Sequence, residues 1–139
     1  MTAARSLTIM MRVTGFMAML AVVAVFMPRS WILFCHEALS MGPFPEAPVA
    51  EYLARSTSLF YTFFGVAMWA LSRDVRQASR TIAAVGVGMM ASGAVLLSID
   101  LRSGMLGWWI AIEGPFVVFL GAVILALALK VHAKRNEAA

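Results

Sequence analysis

Charge is scarce in this chain. Asp, Glu, Lys and Arg make up 13% of its 139 residues, against 62% hydrophobic residues. A soluble domain carries about twice that charged share, so an ordinary soluble enzyme and a disordered chain are both excluded. Cysteine is nearly missing too. Cys35 stands alone, which excludes an internal disulfide and any Cys-x-x-Cys redox or zinc site. There is no Ser-His-Asp arrangement, no phosphate loop and no haem-binding Cys-x-x-Cys-His. No catalytic residue and no cofactor is therefore read from the motifs, and the balance leans away from an enzyme. The two histidines, His36 and His132, lie far apart in the chain, and no metal site is read from them.

What is present is apolar sequence in long runs. Mean hydropathy is +0.87. A membrane-crossing helix needs roughly 20 mainly apolar residues, and four segments fit: about 8–27, 56–72, 81–99 and 106–129. Backbone groups in lipid must be satisfied within the segment, so these read as helices, and the alternation of barrel strands is absent. Proline suits a first helical turn, so the second helix is expected to begin early, at Pro48. Between the first two lies a helix-compatible stretch, about 31–41. Trp31, Phe34, Cys35, Ala38 and Met41 share one face, and His36, Glu37 and Ser40 the other. That pattern predicts a short interfacial helix ended by Gly42. The fold expected is all-α: one polytopic membrane domain, residues 1–139, with four transmembrane helices in an antiparallel bundle plus the interfacial helix. The first helix is expected to be retained, because Phe26, Met27, Pro28 and Arg29 are poor cleavage-site residues.

Net charge is +4 and the pI about 10.0. In a soluble protein this would point to nucleic acid; here the cations flank apolar runs, so the partner is the lipid bilayer and no nucleic acid is expected. Arg5, Arg12, Arg73, Arg76, Arg80, Lys130, Lys134 and Arg135 fall on one side of the expected bundle. Only Arg29, Arg55 and Arg102 fall on the other. The positive-inside rule then puts both termini in the cytoplasm.

Helices in lipid meet through small residues. The third carries two such stripes: Ala84, Gly88 and Ser92 at four-residue steps, and Gly86 and Gly93 seven apart. One could serve the bundle and the other a partner, whether a homo-oligomer or a larger membrane complex. The eleven methionines are scattered through apolar runs, as gap-fillers are.

Glu113 is the most informative single residue. It follows Trp108 and Trp109, which mark a membrane interface, and lies about 6–8 Å deeper. An acid there pairs with a cation, binds a ligand or takes up a proton. Asp100, His36, Glu37 and Tyr61 are candidate supporting groups if the outer helix ends converge. Alternatively, Glu113 pairs with Arg55 or Arg102, Asp100 forms a turn and His36-Glu37 is a wet helix face. Glu51 and Arg55, four apart with the acid first, read as a structural pair.

Two stretches carry a resemblance. One is His36-Glu37-x-Leu39-x-x-Gly42-x-x-Pro45-x-x-Pro48-x-x-x-Tyr52-Leu53-x-Arg55-Ser56. The other is Asp100-x-x-x-Gly104-Met105-x-x-Trp108 followed by Glu113-Gly114-Pro115. Together they resemble small four-helix bacterial inner-membrane proteins, a group with no assigned activity. The resemblance implies a bacterial inner membrane and that topology. In topology alone the chain is also similar to DoxX-like proteins. Three functions follow as expectations. The first is binding, and by extension transport, of a small ligand, cation or proton at an outward-facing polar cluster centred on Glu113. The second is a non-catalytic accessory or assembly subunit of a larger complex. The weakest is an enzyme acting on a lipid or quinone.

Overall fold

A computed structural model describes residues 2–137, and it is helical almost throughout. The helices are α1 (Ala3–Met19), α2 (Val22–Phe26), α3 (Arg29–Ala38), α4 (Pro48–Leu71), α5 (Ser79–Ser103) and α6 (Gly107–Glu137). One 3-10 turn, Ser72–Asp74, follows α4. α1 and α2 are one apolar stretch tightened at its middle. There Ala21 N–H bonds to Ala18, Val23 to Leu20 and Ala24 to Ala21, each three residues back.

Three stretches are long and apolar enough to cross a membrane: Ala3–Phe26, Ser79–Ser103 and Gly107–Glu137, with mean hydropathies of 2.1, 2.1 and 2.4. The protein is therefore a multi-pass membrane protein. The expected set of four transmembrane helices plus an interfacial helix is corrected by this finding. α4 has the length, 24 residues beginning at Pro48, but not the composition. Glu51, Arg55 and the run Ser56, Thr57, Ser58 dilute its first half, and Tyr61 and Thr62 extend the dilution. The expectation of two cytoplasmic termini rested on four crossings, and three qualifying spans do not carry it.

α3 begins directly after Pro28 and ends earlier than expected. Ser40, at φ 58°, turns the chain. Ser40 N–H bonds to Glu37 O at 2.8 Å and Met41 N–H to His36 O at 3.1 Å. This pair of bonds closes a helix with a left-handed residue just past its end. Gly42 comes two residues too late to be the stop.

The described residues up to Met11, with those from Leu71 onward, form one compact unit; Arg12–Ala70 forms the other. In the first unit α5 and α6 run antiparallel along a seam of small residues. A methyl group added to Gly86 would lie 2.9 Å from Gly121 O, and one added to Gly93 would lie 2.7 Å from Gly114 O. The same register sets Ser79 level with Ala128. Each helix thus offers a small or short residue at every seventh position: Ser79, Gly86, Gly93, Asp100 on α5 and Gly107, Gly114, Gly121, Ala128 on α6. Without a hydrophobic force between helices in lipid, close backbone approach supplies the attraction. Ile82, Met89, Ile124 and Val131 are buried beside the seam.

In the second unit α1 and α4 touch at Gly15 and Gly65. The Arg12 guanidinium lies over the Trp69 ring, 5.8 Å from its centroid, a favourable cation–π geometry. The outward faces of both units are apolar. Phe60, Phe63 and Phe119 are exposed, as expected where lipid is the solvent.

Candidate functional site

The sequence candidates fall into both units. His36, Glu37 and Tyr61 belong to Arg12–Ala70; Asp100 and Glu113 belong to the α5–α6 unit. His36 has a local task. Its Nδ1 lies 2.8 Å from Gly42 O, and its ring meets Phe44 edge-on at 5.3 Å. It clasps the turn that follows α3. Glu37 and Tyr61 are exposed. Among the described residues no group of three or more His, Cys, Asp or Glu is placed to hold a metal ion.

In the second unit Arg29, Glu51 and Arg55 form one network. Arg55 Nη2 donates to Glu51 Oε1 at 2.8 Å and to Met27 O at 3.0 Å; Nε donates to Glu51 Oε1 at 3.1 Å, and Nη1 donates to Val25 O. Arg29 Nη1 donates to Glu51 Oε2 at 3.1 Å. Val25 and Met27 lie at the C-terminal end of α2, where helical carbonyls lack partners, so a cation is well placed. The hydrogen bond from Arg55, helped by its charge and by Arg29, holds the Glu51 carboxyl below its ordinary 4.5, against a smaller opposing effect of burial.

Asp100 is treated differently. It lies in the last turn of α5, where Gly104 at φ 65° ends the helix and both Gly104 and Met105 donate to Asp100 O. Its side chain is turned into the protein rather than out to the surface. Asp100 is only 5% exposed, and its Oδ2 has no hydrogen-bond partner. A carboxylate at a helix C-terminus also faces the negative end of the helix dipole. Burial, a missing donor and the dipole all call for a compensating positive group. Among the described residues no ion pair reaches Asp100 or Glu113.

Glu113 is partly buried, and Trp109 Nε1 donates to its Oε2. The two residues are four apart on α6, so they share a face. Trp109 and Trp108 meet edge-on at 5.4 Å. In the antiparallel register Glu113 is level with residue 94, about 9 Å along the axis from Asp100. The two acids share one end of one hairpin without forming a single chelate. The stripes on α5 also separate. Gly86 and Gly93 are buried in the seam, whereas Ala84, Gly88 and Ser92 are exposed, and a methyl added at Gly88 would meet nothing within 4 Å.

Two features escaped the sequence reading. The seven-residue series on α6 was readable as spacing, but its meaning needs the partner helix. Trp109 was read as an interface marker, although its i, i+4 relation to Glu113 was legible. Comparison with protein-family models, with curated proteins and with solved structures finds no match to this chain.

Proposed function

We propose that this protein binds a small cation or cationic ligand at the acidic end of the α5–α6 hairpin. Asp100 is the centre, and Glu113 is a second acid two turns away. The observation that carries this reading is the buried Asp100 Oδ2 without a donor. An acid set in an apolar span and left uncompensated is a binding group by default. The proposed setting is a bacterial inner membrane with the acidic end facing outward. Support comes from the opposite end of the same hairpin, where Arg76, Arg80, Lys130, Lys134 and Arg135 gather. Thr2, Ala3 and Ala4 line one cavity with Lys134 and Arg135, so the start of α1 lies at that basic end too. The test is a thermal-shift series on the full-length protein with monovalent cations, divalent cations and small amines. A cation from one class should raise the melting temperature of the wild type and leave Asp100→Asn unmoved. A wild type that responds to no probe overturns the reading.

A second reading has its own observation. The exposed Ala84–Gly88–Ser92 face is the kind of surface on which another transmembrane helix packs. On this reading the protein is an assembly subunit of a larger membrane complex. Gly88→Leu, which has room in this fold, should then shift the protein to smaller species on native gels of membrane extracts. An unchanged size distribution removes this reading.

A further inference from the structure

At the basic end of the same unit lies a cavity of about 470 Å³. Its walls are Thr2, the first residues of α1 (Ala3, Ala4), Arg76 from the turn before α5, and Lys134 and Arg135 from the last turns of α6. Val131, almost fully buried, is its apolar side. Among the described residues three cations and no acid line it. The nearby Asp74 is turned to another use, since its Oδ1 accepts the backbone N–H groups of Arg76 and Gln77 at 3.2 and 3.0 Å.

Arg135 Nη1 donates to Arg76 O at 3.2 Å and to Gln77 O at 3.5 Å, which pins its guanidinium at the rim. A guanidinium has five N–H donors, so this leaves others for a ligand. Among the described residues neither Arg76 nor Lys134 forms an ion pair. Behind the rim a second layer fixes the two helices. Arg80 Nε donates to His132 Nε2 at 3.4 Å, and His132 Nδ1 lies 3.3 Å from Ser79 Oγ, which donates to Arg76 O. The cavity is therefore a built concavity with positive charge focused into it, not a frayed surface.

Position selects the ligand. The walls come from the start of one apolar span, Ala3–Phe26, and the end of another, Gly107–Glu137. That is the depth of lipid headgroups. The volume falls within the range of small-ligand sites and exceeds what a lone phosphate fills. We propose that this cavity binds a phosphate group, that of an anionic phospholipid headgroup in the leaflet at the basic end. Basic pockets between membrane helices on the cytoplasmic side recognise such headgroups by this charge arrangement.

Native mass spectrometry of the full-length protein tests this, with phosphatidylglycerol, phosphatidylcholine and glycerol 3-phosphate as probes. The wild type should retain phosphatidylglycerol and not phosphatidylcholine. Arg76→Gln with Lys134→Gln should weaken phosphatidylglycerol binding about 30-fold, since each basic residue near the membrane surface contributes roughly 5-fold. Arg102→Gln, at the other end of α5, should not weaken it. The melting temperature of the double variant, matched to wild type, shows that the loss is not unfolding. Equal retention of phosphatidylcholine, or undiminished binding by a folded double variant, overturns the proposal. If glycerol 3-phosphate displaces phosphatidylglycerol at similar concentration, the phosphate site stands and the lipid as its source is overturned.

Discussion

Arg55 and Asp100 are both charges set in largely apolar helices, and the protein handles them in opposite ways. Arg55 has a carboxylate and two helix-end carbonyls around it. Its charge closes the end of one helix and ties it to another. Asp100 is more deeply buried, sits at the wrong pole of its helix and keeps one oxygen without a donor. The first charge is a fastening, complete within the chain. The second is left open among the described residues. In a membrane protein the informative charge is the one whose partners are missing, because leaving it so costs stability that packing must offset.

This contrast can be broken by substitution. The largest effect is expected at the satisfied charge. Arg55→Met keeps the stem but leaves Val25 O, Met27 O and Glu51 without their donor, and should cost about 2 kcal/mol. Denaturant unfolding in detergent measures it, and a cost near zero would mean that the network is ornamental. The unsatisfied charge should respond with the opposite sign. Asp100→Asn removes a buried charge from a helix C-terminus and should raise cation-free stability by about 1 kcal/mol. Destabilisation of similar size would show that Asp100 has a partner in the folded state. The smallest effect concerns pH. The Glu51 carboxyl titrates below its ordinary 4.5 because of Arg55. Its contribution is thus present above that value and fades as pH falls through the lowered one. Acid titration of wild type should show this loss, and Glu51→Gln should flatten the curve in the same window. Parallel curves would remove Glu51 from the account.

The legible parts of this fold were local. The start of α4 at Pro48 followed from proline chemistry, and the Glu51–Arg55 pair from four-residue spacing. Even the two stripes on α5 were visible as spacing. What could not be read was anything needing a second segment. Which stripe packs inward depends on α6, because Gly86 and Gly93 gain meaning only against Gly121 and Gly114. The proposed gathering of His36, Glu37, Tyr61, Asp100 and Glu113 needed tertiary placement that no periodicity supplies. His36 also holds its own turn. α4 has the length of a span, but Ser58, Tyr61 and Thr62 lower its hydropathy. The end of α3 was missed because a serine rarely takes the left-handed conformation that glycine takes freely.

The seven-residue seam has one more consequence. Ser79 and Asp100, both buried, stand three heptads apart on α5, about 31 Å along the axis. The hydrocarbon of a bilayer is about 30 Å thick. The seam is thus a gauge cut to the membrane, with a polar mark at each end. Its pitch also makes it digital. A slip of less than one heptad drives a bulky side chain into a glycine slot, so the two helices cannot creep past one another to suit a thinner bilayer. They must tilt as a single rod. Any change in membrane thickness therefore moves the acidic end and the basic end together, through a strut that does not stretch.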